Sequence, residues 1–245
     1  MLDDVLKWID ANLQASLDRL FALLRIDSIS TDPAYAPACR KAADWLVREL
    51  GGMGFEAQAR PTPGLPIVVG HHDGAGPHIL FYAHYDVQPV DPLNLWTNAP
   101  FDPRILTSPD GRKQIAARGA SDDKGQLMTF VEAARAWKAV AGKLPAKVTM
   151  LLEGEEESGS ANLRPFMQAN AQELSADAAF ICDTDMWSPI RPAITTSLRG
   201  LVGVEVTITA ANRDLHSGLY GGAARNPIHV LAAILADLHD KNGRV

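Results

Sequence analysis

The sequence predicts an α/β fold in which a mostly parallel sheet carries helices on both faces. Short apolar runs rich in strand-forming residues alternate with segments of helical periodicity along most of the 245 residues. Such alternation is typical of a sheet built from β-α-β units. The run HILFYA, at residues 78–83, is apolar at successive positions, as expected of a central strand that is covered on both sides.

Helices are predicted at the N-terminal end. Over residues 2–25, apolar side chains recur every three or four positions, which indicates one long amphipathic helix. A second helix is expected over residues 37–50, because proline is tolerated in a first turn. Gly51 and Gly52 are expected to end it, since glycine enters the left-handed conformation without steric cost.

The alternating part of the chain follows. Strands are expected at residues 55–59, 67–69, 78–83, 115–117, 146–152 and 178–182, and helices at residues 124–140 and 162–174. After Pro192 the pattern changes: residues 202–208 alternate apolar with small or polar side chains, which predicts a strand buried on one face. We therefore expect one domain over residues 1–192 and the start of an incomplete two-layer α+β domain over residues 193–245, with a helix at 226–238.

Composition excludes several classes of partner. The formal net charge of -6, without clusters of Lys and Arg, argues against nucleic acid and anionic membranes. The acidic N-terminus differs from a secretory signal and no apolar run is long enough for a bilayer span, so a cytoplasmic protein is expected. The two cysteines, Cys39 and Cys182, lie far apart and are expected to be buried as small apolar residues.

Chemically active side chains follow the predicted strands. His84 and Asp86 come directly after residues 78–83, and residues two apart on an extended chain point the same way. Asp86 can therefore hold one imidazole nitrogen of His84 and leave the other free for a metal ion. A purely structural His–Asp pair is the alternative interpretation of this segment.

A pair of aspartates, Asp122 and Asp123, precedes the helix predicted from Lys124. Aspartate suits a helix start, where free backbone N–H groups and the helix dipole favour negative charge. One capping residue suffices, however, and a pair of carboxylates is also able to supply an oxygen ligand to each of two cations. Both interpretations stay open from this segment alone.

Carboxylates are concentrated after the last two strands. Four of them follow the strand at 146–152, namely Glu153, Glu155, Glu156 and Glu157. Because like charges repel, such a group needs either full solvation or cations. Asp183 follows the strand at 178–182, where a turn residue is the alternative. Parallel strands end at the same edge of a sheet, so we expect these side chains to meet in one crevice.

The segments HYDVQPV, LWTNAPFDP, RGASDDKG, EGEEESGS, the CDT after FI, and RDLHSGLYGG occur in this order over nearly the whole chain. Together they resemble the motifs of the M20 metallopeptidases, and most closely those of the carnosine-type dipeptidases. The resemblance implies a zinc-peptidase-like catalytic domain over residues 1–192 and the start of a lid and dimerisation domain over residues 193–245.

The resemblance further implies two divalent metal ions, of which zinc is usual, while oxygen-rich ligation also accepts manganese or cobalt. His84 and Asp183 would hold one ion, Glu157 the other, and Asp122 would bridge both. The family's fifth ligand, a histidine from beyond the lid, has no counterpart among the seven histidines of this sequence. We therefore expect residues 1–245 by themselves to bind at most about one metal ion tightly.

Catalytic roles follow from the same resemblance. Asp86 would orient His84, and Glu156 would be the general base that takes a proton from a water bridging the two metals. His216 would stabilise the oxyanion, in many family members from the partner subunit. The peptide bond Asp122–Asp123 is expected to be cis.

The predicted reaction is metal-dependent hydrolysis of a dipeptide or a similar amide. Deacylation of an N-acyl amino acid is the alternative among enzymes, because both reactions place the same carbonyl on the same metals. A truncated, non-catalytic fragment that binds metal or dimerises is the alternative from another class. The expected partners are a small peptide or an N-acyl amino acid, and a second copy of the chain through the lid domain.

Overall fold

The structure is a computed structural model that describes all residues from Met1 to Val245. The chain divides into two compact units, Met1–Ala193 and Ile194–Val245. None of its helices combines the length and the apolar character that crossing a membrane requires.

The first unit is built on a five-stranded sheet with the order β1-β2-β6-β3-β7. In chain order the strands are β1 Glu56–Arg60, β2 Ile67–His72, β3 His78–His84, β4 Arg104–Thr107, β5 Lys113–Ala116, β6 Lys147–Glu153 and β7 Ala178–Ile181. Strands β3, β6 and β7 run parallel to one another, β2 pairs antiparallel with β6, and β1 pairs antiparallel with β2. The α/β class is therefore confirmed, and the sheet is mixed because β2 runs opposite to the other four strands. Strands β4 and β5 form a separate two-stranded sheet.

Helices cover both faces of the main sheet, as expected. The helices of this unit are α1 Leu2–Ala11, α2 Leu13–Leu24, α3 Ala36–Gly52, α4 Lys124–Ala141 and α5 Leu163–Ala169. Successive side chains of a strand point to opposite faces. Phe81 of β3 accordingly joins the core that α3 and α4 complete, and stacks on Phe130 with the ring centroids 4.1 Å apart. Leu80 joins the smaller core on the other face, where Phe166 of α5 packs.

The single helix predicted for residues 2–25 is wrong, because it is interrupted at Asn12. The Asn12 side chain donates a hydrogen bond to the Trp8 carbonyl at 2.8 Å, and its backbone has φ -111° and ψ 13°. Asparagine offers the backbone such a local alternative to helical bonding. Two shorter helices result, and each buries its own apolar stripe.

The end of α3 also differs from the prediction. Gly51 and Gly52 lie inside the helix, and Gly54, two residues further, takes the left-handed conformation with φ 89°. Its N–H bonds to the Gly51 carbonyl at 2.9 Å. The helix predicted at residues 162–174 is shorter, and α5 ends at Ala169.

The second unit contains α6 Ser217–Tyr220 and α7 Pro227–Asp237. Asn226 begins α7 by accepting a hydrogen bond from the Ile228 N–H at 2.9 Å. The strand predicted at residues 202–208 is not formed. Val202 and Val204 are exposed and have no neighbouring strand to pair with. An alternating pattern alone cannot form a strand, because the ladder needs a partner.

Candidate metal centre

His84 is the last residue of β3 and is fully buried. Its Nδ1 lies 3.2 Å from the Asp86 carbonyl oxygen and 3.3 Å from Asp86 Oδ1. Both neighbours only accept hydrogen bonds, so Nδ1 carries a proton. The other ring nitrogen, Nε2, faces Asp122 Oδ1 at 3.0 Å and Asp183 Oδ2 at 3.7 Å. This is the orientation in which an imidazole presents Nε2 to a metal ion.

Asp86 is also fully buried, and its carboxylate has a second set of partners. It accepts backbone N–H groups from Glu156 at 3.3 Å and from Glu157 at 3.0 Å. One side chain therefore joins the end of β3 to the turn after β6. The sequence predicted only its contact with His84.

Asp122 and Asp123 lie in the loop that enters α4. The preceding strand β5 belongs to the separate two-stranded sheet, so Asp122 does not follow a strand of the main sheet as predicted. The expected cis peptide between the two aspartates is confirmed. Asp123 occupies the N-cap position of α4, yet its side chain makes no capping bond. Instead Asp123 Oδ2 accepts the His84 backbone N–H at 3.0 Å, and Oδ1 is buried without a partner.

The two neighbouring glutamates point to different partners. A ring nitrogen of His84, one carboxylate oxygen of Glu156 and one of Asp183 all lie within 4.8 Å of one another. Glu157 Oε2 instead accepts a hydrogen bond from Gln88 Nε2 at 2.7 Å. The geometry thus gathers Glu156 with His84 and Asp183, while the resemblance assigns the ligand role to Glu157. The division of roles between Glu156 and Glu157 stays a prediction.

The electrostatics of the group fit a divalent cation. Burial raises the pKa values of Glu156, Glu157 and Asp183 above the ordinary carboxylate range. Burial opposes protonation of His84, but its hydrogen bond to Asp86 and the negative charge of the surrounding carboxylates raise its pKa to about 10. Carboxylates crowded beside one imidazole repel unless positive charge lies between them. One nitrogen and several oxygen donors are also the ligand set that Zn²⁺ and related ions accept.

Two supporting residues were missed by the sequence analysis. Gln88 lies in the HYDVQPV segment, and its position four residues after His84 could have marked it as a hydrogen-bond partner for a residue of the site. Lys124 is fully buried and donates to the carbonyl oxygens of Ile26 at 2.7 Å and Leu23 at 3.3 Å. Burial lowers its pKa to about 7. No local pattern could reveal this role, because a lysine at a helix start is normally solvated.

His216 lies in the second unit, at the N-cap of α6. Its Nδ1 accepts the Gly218 backbone N–H at 3.0 Å. A neutral ring with Nδ1 as acceptor carries its proton on Nε2. An exposed N–H donor is therefore available on His216.

The remaining histidines and the cysteines lie outside this group. His71 and His78 approach the buried Thr149 hydroxyl at 3.0 and 2.7 Å, away from the carboxyl end of β6. Cys39 is buried, as predicted, whereas Cys182 is only half-buried.

Comparison with known proteins places these observations in a family. Residues 80–238 match the family model described as peptidase family M20/M25/M40. The chain is 31% identical over 260 residues to the Cys-Gly metallodipeptidase dug1 of Schizosaccharomyces pombe, with 100% of this chain and 53% of that protein covered. It is 30% identical over 264 residues to the beta-Ala-His dipeptidase of Homo sapiens, with coverage of 100% and 51%.

A solved structure gives the same result. The M20 family metallo-carboxypeptidase Sso-CP2 from Sulfolobus solfataricus superposes with a TM-score of 0.73 and 32% identity, over 94% of this chain and 51% of that one. The chain thus spans about half the length of the relatives it matches. The matched region runs from β3 to the end of α7 and contains every candidate metal ligand, so the chain belongs to the M20/M25/M40 family of peptidases.

Proposed function

We propose that the protein hydrolyses a dipeptide or a similar amide with the aid of divalent metal ions. The observation that carries the proposal is the convergence of His84, Asp122, Glu156 and Asp183 around one buried imidazole nitrogen. A dipeptide is favoured as substrate because the similar proteins from fission yeast and human are named as dipeptidases. N-acyl amino acid deacylation and a non-catalytic role remain the alternatives, and no contact in the site favours either.

We further propose two cations, with zinc preferred over manganese or cobalt. His84 and Asp183 would hold one, Glu157 the other, and Asp122 would be shared. When bound, such cations supply the positive charge that polarises the scissile carbonyl and acidifies a water molecule. The crowded carboxylates around the buried imidazole of His84 support this proposal, because cations would relieve their mutual repulsion.

The protein's own residues would then divide the work. Asp86 keeps the proton on Nδ1 of His84, so Nε2 is the nitrogen that would release its proton to bind a cation. Glu156 accepts a proton from the attacking water and returns it to the leaving amine, a task suited to a half-buried carboxylate whose pKa burial raises. His216 donates its Nε2–H to the oxyanion. We also propose a cytoplasmic homodimer that forms through the second unit.

The test compares Glu156→Gln with Glu157→Gln in a purified form of the enzyme that includes the family's fifth metal ligand. Metal content is measured by elemental analysis after dialysis, and turnover is measured on a panel of dipeptides and N-acyl amino acids. We expect Glu156→Gln to lose most turnover and keep its metal, and Glu157→Gln to lose metal. Glu56→Gln, an exposed position on β1, is the matched control and should behave as the wild type.

Two outcomes would contradict the proposal. Equal metal loss in the Glu156 and Glu157 variants would overturn the division of roles between them. A wild-type protein that holds divalent metal but hydrolyses no dipeptide on the panel would overturn the dipeptidase assignment, and turnover of N-acyl amino acids alone would establish the deacylase instead.

A further inference from the structure

Glu155 differs from the two glutamates that follow it, because its carboxylate faces two hydrogen-bond donors. Oε1 accepts the backbone N–H of Leu65 at 3.0 Å, and Oε2 accepts a hydrogen bond from Asn162 Nδ2 at 2.7 Å. Leu65 lies in the loop between β1 and β2, and Asn162 precedes α5. This carboxylate is therefore neither free in solvent nor part of the candidate metal group.

The loop that receives Glu155 is shaped for a close approach. A Cβ atom at Gly64 would lie 1.8 Å from Glu155 Oε1 and 2.8 Å from Asn162 Nδ2. Only glycine leaves room for the carboxylate. The Thr62 side chain also orders this loop, since its hydroxyl accepts the Gly64 N–H at 3.0 Å and donates to the Leu65 carbonyl at 2.7 Å.

The same residue closes the turn that carries Glu156 and Glu157. The Glu155 carbonyl accepts the N–H groups of Ser158 at 3.2 Å and Ser160 at 2.8 Å. Asp86 holds the N–H groups of Glu156 and Glu157 from the other side. The turn is thus held between two carboxylates, Asp86 beside the metal group and Glu155 on the loop before β2.

We propose that Glu155 is a positioning residue: by binding the Leu65 N–H and Asn162, it sets the orientation of the turn that presents Glu156 and Glu157 to the metal centre. The inference deepens the proposed function and rests on it for its catalytic readout. A displacement of catalytic groups by about 1 Å can lower turnover on the order of a hundredfold. Loss of one contact made by Glu155 should therefore lower kcat more than it raises KM.

The sharpest test exchanges donor and acceptor across the Glu155–Asn162 contact. In Glu155→Gln the new amide keeps its oxygen for the Leu65 N–H, and Asn162 has to turn its amide so that Oδ1 accepts a hydrogen bond from the new NH₂ group. In Asn162→Asp two carboxylates face each other. The double variant Glu155→Gln with Asn162→Asp restores one donor and one acceptor at the same net charge.

We expect Asn162→Asp to lower kcat about tenfold or more, Glu155→Gln to lower it less because Asn162 can turn its amide, and the double variant to recover to within about threefold of the wild type. Metal content and the folded circular dichroism spectrum should be retained in all three. Wild-type kcat in Asn162→Asp, or no recovery in the double variant, would overturn the inference.

A second measurement needs no catalysis. Gly64→Ala should lower the melting temperature in the wild type, because the new methyl group displaces Oε1 from the Leu65 N–H, and should lower it less in a Glu155→Ala background, where that bond is already absent. Gly51→Ala is the matched control, because nothing lies within 4 Å of a Cβ at that position. Additive effects of Gly64→Ala and Glu155→Ala would overturn the contact itself. If the effects of Gly64→Ala and Glu155→Ala on the melting temperature are not additive but the wild type shows no hydrolysis, only the proposed function is overturned.

Discussion

Replacing the buried Asp86 by asparagine removes one of two carboxylate oxygens, both of which accept hydrogen bonds in the structure. The carboxylate accepts from the N–H groups of Glu156 and Glu157, and Oδ1 also lies 3.3 Å from His84 Nδ1. An asparagine whose oxygen stays on the Glu157 N–H turns its NH₂ group toward the other two donors. His84 keeps the Asp86 carbonyl at 3.2 Å, so the Glu156 N–H is the group that loses its partner.

The magnitude follows from these contacts. A buried donor left without a partner costs about 1–3 kcal/mol, so the free energy of unfolding of Asp86→Asn should fall by about that amount. The NH₂ group also repels the Nδ1–H of His84 and disturbs the ring that presents Nε2. Loss of such a supporting contact typically lowers metal affinity by about 10- to 100-fold.

Asp123→Asn is the matched control, because Asp123 is equally buried and undergoes the same chemical change. Its carboxylate accepts only the His84 N–H, and Oδ1 has no partner. The new amide oxygen can keep that bond while the NH₂ group takes the place of the unpartnered oxygen. We expect a smaller loss of stability than in Asp86→Asn, under about 1 kcal/mol.

The assays are urea unfolding in the presence of a chelator, for stability, and competition against a chromogenic chelator, for metal affinity. We expect Asp86→Asn to have a lower free energy of unfolding and a lower metal affinity than Asp123→Asn. Equal losses in the two variants, or unchanged metal affinity in Asp86→Asn, would refute it.

Two further predictions concern groups outside the immediate metal centre. Hydrogen bonds from Arg60 and also His71 lower the pKa of Glu173 to about 2, so its contribution to stability is complete above an ordinary glutamate pKa of about 4.3 and is lost as the pH falls toward 2. Glu173→Gln should therefore be less stable than the wild type in thermal unfolding at pH 7, with a difference that shrinks between about pH 4.3 and pH 2; a constant difference would contradict the ion pair. In a form of the enzyme that includes the fifth metal ligand, His216→Ala should lower kcat on the order of a hundredfold with unchanged metal content, and near-normal turnover would show that His216 takes no part.

Several features of the fold follow from the sequence because they depend on local patterns. Strand β3 is read correctly, since a run apolar at successive positions needs cover on both faces. The interruption at Asn12 and the end of α3 were not predicted, because single side-chain and backbone contacts decide among conformations of similar energy. The strand expected at residues 202–208 failed for a different reason: its pattern was present, but a pairing partner was not.

The sequence by itself determined the family and the residue types available for chemistry, because the motifs around His84, Asp122 and Asp183 are written in contiguous segments. Only the tertiary structure decided which partner each of the neighbouring carboxylates contacts. Glu155, Glu156 and Glu157 are alike in sequence, yet their side chains meet Leu65, the metal group and Gln88 respectively. Leu65 is 90 residues from Glu155 along the chain and Gln88 is 69 residues from Glu157. Partners so distant in sequence become neighbours only when β2, β3 and β6 pair in one sheet, and no local pattern encodes which donor each carboxylate will face.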